Sequence, residues 1–534
     1  MTSPARTRGR LLALALACAA LASPAHAQLA ASNLLLFQLG NWPPSMPDRG
    51  TPDRESLYDR LDVQYVSGSA LAGVRFETDR NSDLENEYAG FTQRFVDWHD
   101  DATGLHLRVG NCTTILGRGL VHRSFELPGV VLENTGFRTR FTPVRDVDGV
   151  LMELSRGPVA LRAIGGAPSE GDVSLAEEEI LGVPRHQGHI AGGQAVVALP
   201  RAAQVGAIVM RSPGGIDPAT NLPRQHTVAS GFVDVDPLRA LGVNAFALPT
   251  YVEYAQEDRT FGQWWEFDTS DPTPHALYAG TNLLWGTFAL SLEWKDYSQF
   301  RLGTNDPPSL VPEHTEVLLN RTTHVLVADD ETGYQAEASW SPVPWGALVL
   351  NRTRADGAHD DRYEEWYAGL RALPRGGKSV DGGVFYDRGA DSTTGITRRD
   401  TYGFDVTGRW RTRWSAKLDV ERQTSERKSF IPATLSIGLT RFEDVHVSLV
   451  ATLADVGSAG FSWDRTTDPL DPSWDFGRTS PLHLFSWNAS AHISDGNEAV
   501  LFLGKRRGGL ACTAGTCYQV QPFEGFELRL VSRF

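Results

Sequence analysis

The stretch GFELRLVSRF, residues 525–534, preceded by Glu524, closes the chain on an aromatic side chain. Taken in twos, Phe526, Leu528, Leu530, Ser532 and Phe534 share one face, and Gly525, Glu527, Arg529, Val531 and Arg533 share the other. A period of two describes a strand with one greasy and one charged face. Such a strand needs a hydrogen-bonding neighbour, because a bare terminal edge is costly and invites aggregation. Two arrangements supply one: the buried last strand of a soluble sandwich, or the closing strand of a membrane barrel paired to the first.

The N-terminal region favours the barrel. Arg6, Arg8 and Arg10 precede the apolar run LLALALACAALA and then Pro24-Ala25-His26-Ala27 before Gln28. A charged lead, an apolar stretch too short to span a bilayer and an A-x-A site predict a cleaved secretory signal over residues 1–27. Cys18 lies inside the apolar run, but Ala15 stands where a lipidation site prefers Leu. After residue 27 no run approaches the 18 or so apolar residues of a spanning helix. An exported chain can still be integral to a membrane as a closed barrel. In that setting Phe534, with Phe526, Leu528 and Leu530 at alternate positions, resembles the signal read by the bacterial barrel-assembly machinery. Ser532 stands where that signal usually carries an apolar residue.

Composition excludes little beyond nucleic acid. The 534 residues carry a net charge of −15, and removing the three arginines of residues 1–27 takes it to −18. Nucleic-acid binding asks for a basic surface. A mean hydropathy of −0.26 suits a barrel with a polar lumen and polar loops. Three Cys remain after residue 27, too few for a disulfide scaffold.

Amphipathic strands then repeat for hundreds of residues. Phe288, Leu290, Leu292 and Trp294 alternate with Ala289, Ser291, Glu293 and Lys295. Tyr402, Phe404, Val406 and Trp410 alternate with Asp405, Thr407 and Arg409, and Trp414, Leu418 and Val420 with Lys417, Asp419 and Glu421. Segments 431–439 and 445–453 continue the series. With no helical periodicity between them, the chain reads as all-β. Short turns are predicted near Gly286, Pro342–Pro344, Gly376–Gly377, Arg411–Arg413, Glu443 and Asp495–Gly496, and long connections at 303–330, 457–480 and 509–522. That asymmetry is the one expected of outer-membrane barrels, with short periplasmic turns and long outer loops. Trp285, Trp340, Trp345, Trp410 and Trp414 all fall beside predicted short turns, as an interfacial girdle would.

The expectation is a large up-and-down antiparallel transmembrane barrel of about 20–26 strands over residues 59–534, with 149–156 and 158–165 as its weakest strands. Residues 28–58 read as a periplasmic lead-in, with Leu34–Leu39 as a possible first strand. Residues 174–180, opened by the capping-box pattern at Ser174, read as a short loop helix.

Two segments do not read as plain strand and turn: Gly110-Asn111-Cys112 through Gly117-Arg118-Gly119-Leu120 to His122-Arg123, and Pro307-Pro308 through Glu313-His314 to Asn320-Arg321. With Cys512 to Cys517 and Phe523-Glu524-Gly525, they resemble a family of bacterial outer-membrane barrels known only as a domain of unknown function. That resemblance implies an address and an architecture and no activity. Gly117 and Gly119 would let the backbone fold closely into a lumen, with Arg118 and Arg123 facing Glu126 or Glu133. The functional reading is a constriction whose charges select solutes; the bland one is an ion-pair cluster that stiffens a wide barrel.

Glu313-His314 beside Asn320-Arg321 lacks the nucleophile, metal or dry pocket that acid–base chemistry needs, and Pro307-Pro308 reads as stiffening an outer loop. His186 and His189 make a bare HxxH, weak as a metal site. Asp464, Asp468, Asp471 and Asp475 lack EF-hand spacing and read as a solvated outer loop. Cys512 and Cys517 are expected to form a small loop disulfide in an oxidising envelope, leaving Cys112 as a buried thiol. No cofactor or metal is expected.

The function expected is passive passage of small polar solutes through the outer membrane, selected by lumen charge: Glu293, Lys295, Arg409, Lys417, Asp419 and Glu421, with Arg118, Arg123, Glu313, His314 and Arg321. The expected partners are outer-membrane lipids, the assembly machinery and those solutes. A secretion-associated or structural barrel that docks proteins is the alternative. An outer-membrane hydrolase ranks last, since no GxSxG, HExxH or triad appears.

Overall fold

The computed structural model describes residues 28–41, 53–81, 87–126, 144–169, 188–200, 203–216, 223–243, 245–258, 274–300, 302, 304–310, 314–324, 330–357, 361–372, 380–410, 413–431, 436–471, 480–513, 516–520 and 522–534. Five wall strands come first: β1 (Gln28–Asn41), β2 (Asp53–Ser67), β3 (Ala70–Asn81), β4 (Tyr88–Asp100) and β5 (Leu105–Cys112). Four two-residue strands follow in one connection: β6 (Ile115–Leu116), β7 (His122–Arg123), β8 (Phe125–Glu126) and β9 (Val144–Arg145). The wall resumes with β10 (Val147–Arg156), β11 (Val159–Pro168), β12 (Ile190–Leu199), β13 (Ala203–Ile216), β14 (Pro223–Val235) and β15 (Thr250–Asp258). Next are β16 (His275–Trp285), β17 (Phe288–Ser298), β18 (Asp330–Val343), β19 (Gly346–Gly357), β20 (Arg362–Ala372) and β21 (Val380–Asp391). Then come β22 (Ile396–Trp410), β23 (Trp414–Ile431), β24 (Ser436–Leu453), β25 (Gly457–Thr466), β26 (Leu482–Ser494) and β27 (Asn497–Arg506). A loop hairpin, β28 (Gly509–Thr513) and β29 (Thr516–Val520), precedes the last wall strand, β30 (Phe523–Arg533). The described helices are single turns, α1 (Pro237–Ala240) and α2 (Val317–Asn320).

Twenty-four strands form one sheet in which each pairs antiparallel with its wall neighbours. β1 pairs with β2 on one side and β30 on the other, so the sheet closes. Phe534 donates its N–H to the Ala31 carbonyl at 2.8 Å and accepts from the Ala31 N–H at 3.1 Å, which carries the seam to the final residue. Closure removes the free edge that the terminal strand would otherwise expose. The architecture is a transmembrane β-barrel.

Residues 28–41 are therefore wall, and so are residues 53–58 at the start of β2; the lead-in expected over 28–58 is corrected. Glu443 marks no turn either. It lies inside β24, which pairs with β23 as far as Ile431 and Ser436 and reverses into β25 at residues 454–456. Its carboxylate points outward and meets Arg465 at 3.2 Å, as well as Arg422, so the charge is paired on the wall rather than turned to solvent. The predicted helix at 174–180, the turn at Gly376–Gly377 and the signal segment 1–27 lie outside the described residues.

The outer face is apolar because alternation is strict. In β15, Val252 and Tyr254 are exposed outward while Tyr251, Glu253 and Ala255 are buried inward. Trp285, Trp340, Trp345, Trp410 and Trp414 all stand exposed on the outer face beside short turns. Trp410 faces Trp414 across one turn, and Phe246 of the β14–β15 connection meets Trp285 at 5.8 Å. Amphipathic rings at one level anchor a barrel at a lipid–water boundary.

Candidate functional site

Two connections on the long-loop rim fold back inside the wall. The first, 113–146, joins β5 to β10; the second, 299–329, joins β17 to β18. In the first, Gly117 N–H donates to Gln194 of β12 at 2.9 Å and Arg118 N–H to Glu253 of β15 at 3.0 Å. Glu126 of the same connection accepts from Arg75 of β3 at 2.7 Å and Gln93 of β4 at 3.0 Å. A segment touching β3, β4, β12 and β15 at once crosses the lumen.

The glycines make that crossing sterically possible. Gly117 has φ +58°, and a Cβ there would sit 2.4 Å from the Glu253 carboxylate. Gly119 has φ +89°, and a Cβ there would sit 2.7 Å from the Asp306 carbonyl. Both positions combine a left-handed backbone with close approach, which glycine alone tolerates. The segment thus lays its main chain against the wall and against the second insert.

The second insert is tied to the opposite wall. Lys295 of β17 is fully buried, donates to the Ser309 carbonyl at 2.6 Å and pairs with Glu331. Glu421 of β23 accepts from the N–H groups of Val317 and Leu318, each at 2.8 Å, covering the open start of α2 with a carboxylate. Arg321 reaches Asp464 of β25 at 3.0 Å, and His446 of β24 binds the same carboxylate at 2.8 Å. Arg399 of β22 donates to the Thr322 carbonyl at 2.8 Å. The inserts also hold each other: Arg123 pairs with Asp306 at 2.7 Å, and Asn305 donates to the Leu120 carbonyl at 3.1 Å.

The lumen consequently has two characters. On the β10–β17 side apolar inward residues sit among buried charges such as Glu253 and Lys295, and Leu151, Ile164, Ile208, Met210 and Phe232 pack with Leu116, Leu120, Val121, Phe300 and Leu310 of the inserts into one buried core. On the β17–β20 side a cavity of 530 Å³ is lined by Glu293, Glu316, Glu337, His314, Arg371 and Tyr367, among others. A cavity of 260 Å³ lies between the second insert and β21–β25, lined by Arg321, Arg399, Gln423 and Asp444 among others.

Three insert histidines have different charge states for physical reasons. Burial alone would lower His324, but hydrogen bonds to Asp391 at 3.2 Å and Glu331 at 3.4 Å more than offset it and push its pKa up to about 9. Burial likewise opposes charging His314, and the adjacent Glu365 carboxylate outweighs it, so its pKa is raised. His122 has only burial and the Arg145 charge acting on it, which push it down to about 4.

These shifts predict opposite pH responses. His324, raised above its ordinary 6.5, contributes stability in full below 6.5 and loses it as pH rises through about 9. His122, depressed from 6.5, contributes nothing destabilising above 6.5 and weakens its surroundings as pH falls toward 4. Each shift corresponds to about 3 kcal/mol at most. Limited proteolysis of the folded barrel should cut the second insert faster at pH 10 than at pH 7, and the first faster at pH 4.5. Equal cutting of both inserts across that range would show that neither imidazole governs attachment.

The residues singled out in the sequence have these positions. Arg118 places its guanidinium 5.0 Å over the Tyr251 ring and its N–H on Glu253. Arg123 faces Asp306 rather than Glu126, which belongs to Arg75; Glu133 and Glu313 lie outside the described residues. Glu293 and His314 share the larger cavity. Asp419 and Glu421 are buried inside the wall, and Lys417 is on their face. Arg409 sits nearer the short-turn rim, paired with Asp381 at 2.9 Å. Pro307-Pro308 enters the lumen instead of stiffening an outer loop: the Pro308 carbonyl accepts from the buried Tyr297 hydroxyl at 3.0 Å.

The aspartates read as a solvated acidic loop are corrected as well. Asp464 points into the lumen, Asp468 meets Arg427 at 2.8 Å, and Asp471 meets Arg507 at 2.7 Å. Each acid has an arginine brought by folding, and Asp475 lies outside the described residues. His189 is exposed. Cys112 is a buried free thiol that donates to the Val147 carbonyl at 3.2 Å. Cys512 and Cys517 are opposed in the register of β28 and β29; their side chains lie outside the described residues.

Sequence reading missed Glu253, Asp306, Glu365, Asp387, Arg399 and His446. Strand parity was the available signal: Glu365, Asp387, Arg399 and His446 each fall on the face opposite exposed aromatics such as Trp366 and Tyr386. A charge on an inward position of a barrel strand was in view and not followed.

No family model matches the chain, and no curated protein matches it. Three similar solved structures are a translocation pore, a siderophore receptor and a porin. The translocation pore of the P pilus usher PapC has 8% identity and a TM-score of 0.46, over 95% of this chain and 99% of that one. The siderophore receptor PirA of Pseudomonas aeruginosa has 9% identity and a TM-score of 0.42, over 95% and 80%. A BenF-like porin of Pseudomonas fluorescens has 9% identity and a TM-score of 0.40, over 71% and 97%. At these identities and TM-scores none of them assigns a role to a residue of this chain, whose closed wall, outward apolar band and aromatic girdle are those of an outer-membrane barrel.

Proposed function

We propose that this barrel is a pore for small polar solutes across the bacterial outer membrane, with passage along the polar side of the lumen past the two inserts. The 530 Å³ cavity supports this reading, because its lining is polar and its acids outnumber its bases. Glu293, Glu316 and Glu337 face Arg371 and His314, and Arg371 is already paired with Asp405 at 2.9 Å. Charged rings in a narrowed lumen set ion preference, so cations are favoured here. The inserts narrow the opening, since their apolar residues form a buried core against the inward face of β10–β17. In this reading residues 1–27 direct export and are cleaved, β30 is the strand handed to the assembly machinery, and Cys512 and Cys517 close the outer hairpin.

Single-channel recording in planar bilayers tests the proposal. A small, steady, cation-preferring conductance is expected, with Glu337→Gln shifting the reversal potential toward zero. No conductance from well-folded protein, at either polarity and with the inserts loosened by the Asp464→Ala substitution, would refute the pore.

A further inference from the structure

His314 of the second insert, Glu365 of β20 and Asp387 of β21 each bring one ligand-type atom to within 4.8 Å of the others. Glu365 and Asp387 are fully buried at 0% exposure. The Asp387 Oδ2 atom has no hydrogen-bond partner among the described residues, although the group is surrounded by protein. Ionised carboxylates only accept hydrogen bonds, and a buried acceptor left unsatisfied is costly. Arg399 Nη2 lies 2.9 Å from Asp387 Oδ1 and 3.7 Å from Glu365, yet it leaves Asp387 Oδ2 unanswered.

The surroundings resemble the outer support of a metal site. Tyr363 donates its hydroxyl to Glu365, and Arg399 holds Asp387 Oδ1 with Nη2 at 2.9 Å and Nε at 3.1 Å. Glu316 lies 3.9 Å from His314 Nδ1, leaving Nε2 as the nitrogen directed at Glu365. Tyr367 in turn donates to Glu316 at 2.9 Å. At 3.9 Å Glu316 is a charged neighbour of the His314 ring and not its hydrogen-bond partner.

One imidazole and two carboxylates suit a zinc-class ion, with a fourth position open to water.

We infer that His314, Glu365 and Asp387 form a binding site for a divalent transition-metal ion that pins the second insert to wall strands β20 and β21. The site stands independently of whether the barrel conducts. Its function is a clamp: one ligand belongs to the insert and two to the wall, so occupancy holds the insert in the lumen.

The test uses refolded full-length barrel in detergent, stripped with chelator and titrated with ZnCl2 against a chromogenic competitor. One equivalent of zinc bound at micromolar free ion is expected, with the insert near residue 314 becoming more resistant to protease. Loss of a supporting group alone weakens such sites by about 10–100-fold, so His314→Ala and Asp387→Asn should each weaken binding by at least that factor. Heat-modifiable migration in gels confirms that each variant is folded. A wild-type barrel that holds no zinc would overturn the site, leaving a shared proton between the carboxylates as the explanation. So would zinc retained at wild-type affinity by a folded His314→Ala protein.

Discussion

Asp464→Ala will loosen the second insert and raise single-channel conductance severalfold. Asp464 is the acceptor shared by Arg321 of the insert, at 3.0 Å, and His446 of the wall, at 2.8 Å. All three lie inside the lumen, with the His446 side chain fully buried. Removing one member of a buried ion-pair group costs about 3–5 kcal/mol, because the remaining charges lose their compensation. That loss falls on the attachment of the insert rather than on the wall, whose strands keep their ladder hydrogen bonds. Asp464→Asn keeps one acceptor oxygen and should show a smaller rise. Faster proteolysis near α2 should accompany both. Conductance and cutting identical to wild type would mean that Glu421 and the apolar core hold the insert without this cluster.

The second large effect is expected from Phe300→Ala. Phe300 is 0% exposed and packs in the core shared by the inserts and the inward face of β10–β17. Truncating a fully buried Phe costs about 3–5 kcal/mol, from lost transfer energy and the cavity left behind. The wall cannot collapse into that space, because its curvature is set by closure. The temperature at which the barrel loses its folded gel mobility should fall clearly, with little change in ion selectivity, since Phe300 is uncharged and does not line the cavity that holds Glu293 and Glu337. A barrel as heat-resistant as wild type would mean that the inserts add nothing to its stability.

The exterior was legible because it depends on neighbours two residues apart. Leu292 and Trp294 go outward if Glu293 and Lys295 go inward, whatever the rest of the chain does. The girdle tryptophans and the closing strand follow from the same period. β10 and β11 looked doubtful for the converse reason: Ile164 faces a core while Leu161 faces lipid, so both faces are apolar and alternation fades. That loss of contrast signalled a strand buried on both sides.

The interior was not legible. Arg123 meets Asp306 across 183 residues, and Arg321 meets Asp464 across 143. Sequence shows two long polar connections; it does not show whether they project outward or turn in. Even the GRG glycines revealed only that the backbone would fold tightly, not against which carboxylate.

By itself, then, the sequence determined an all-β chain, many of its transmembrane strands with the face of each that meets lipid, and which strand completes the wall, because side-chain alternation and hydrogen-bond closure are local demands. Tertiary structure alone decided that the lumen is packed on one side and polar on the other, and which charges meet there. Buried charges choose their partners through space, and only the closed wall brings those partners within reach.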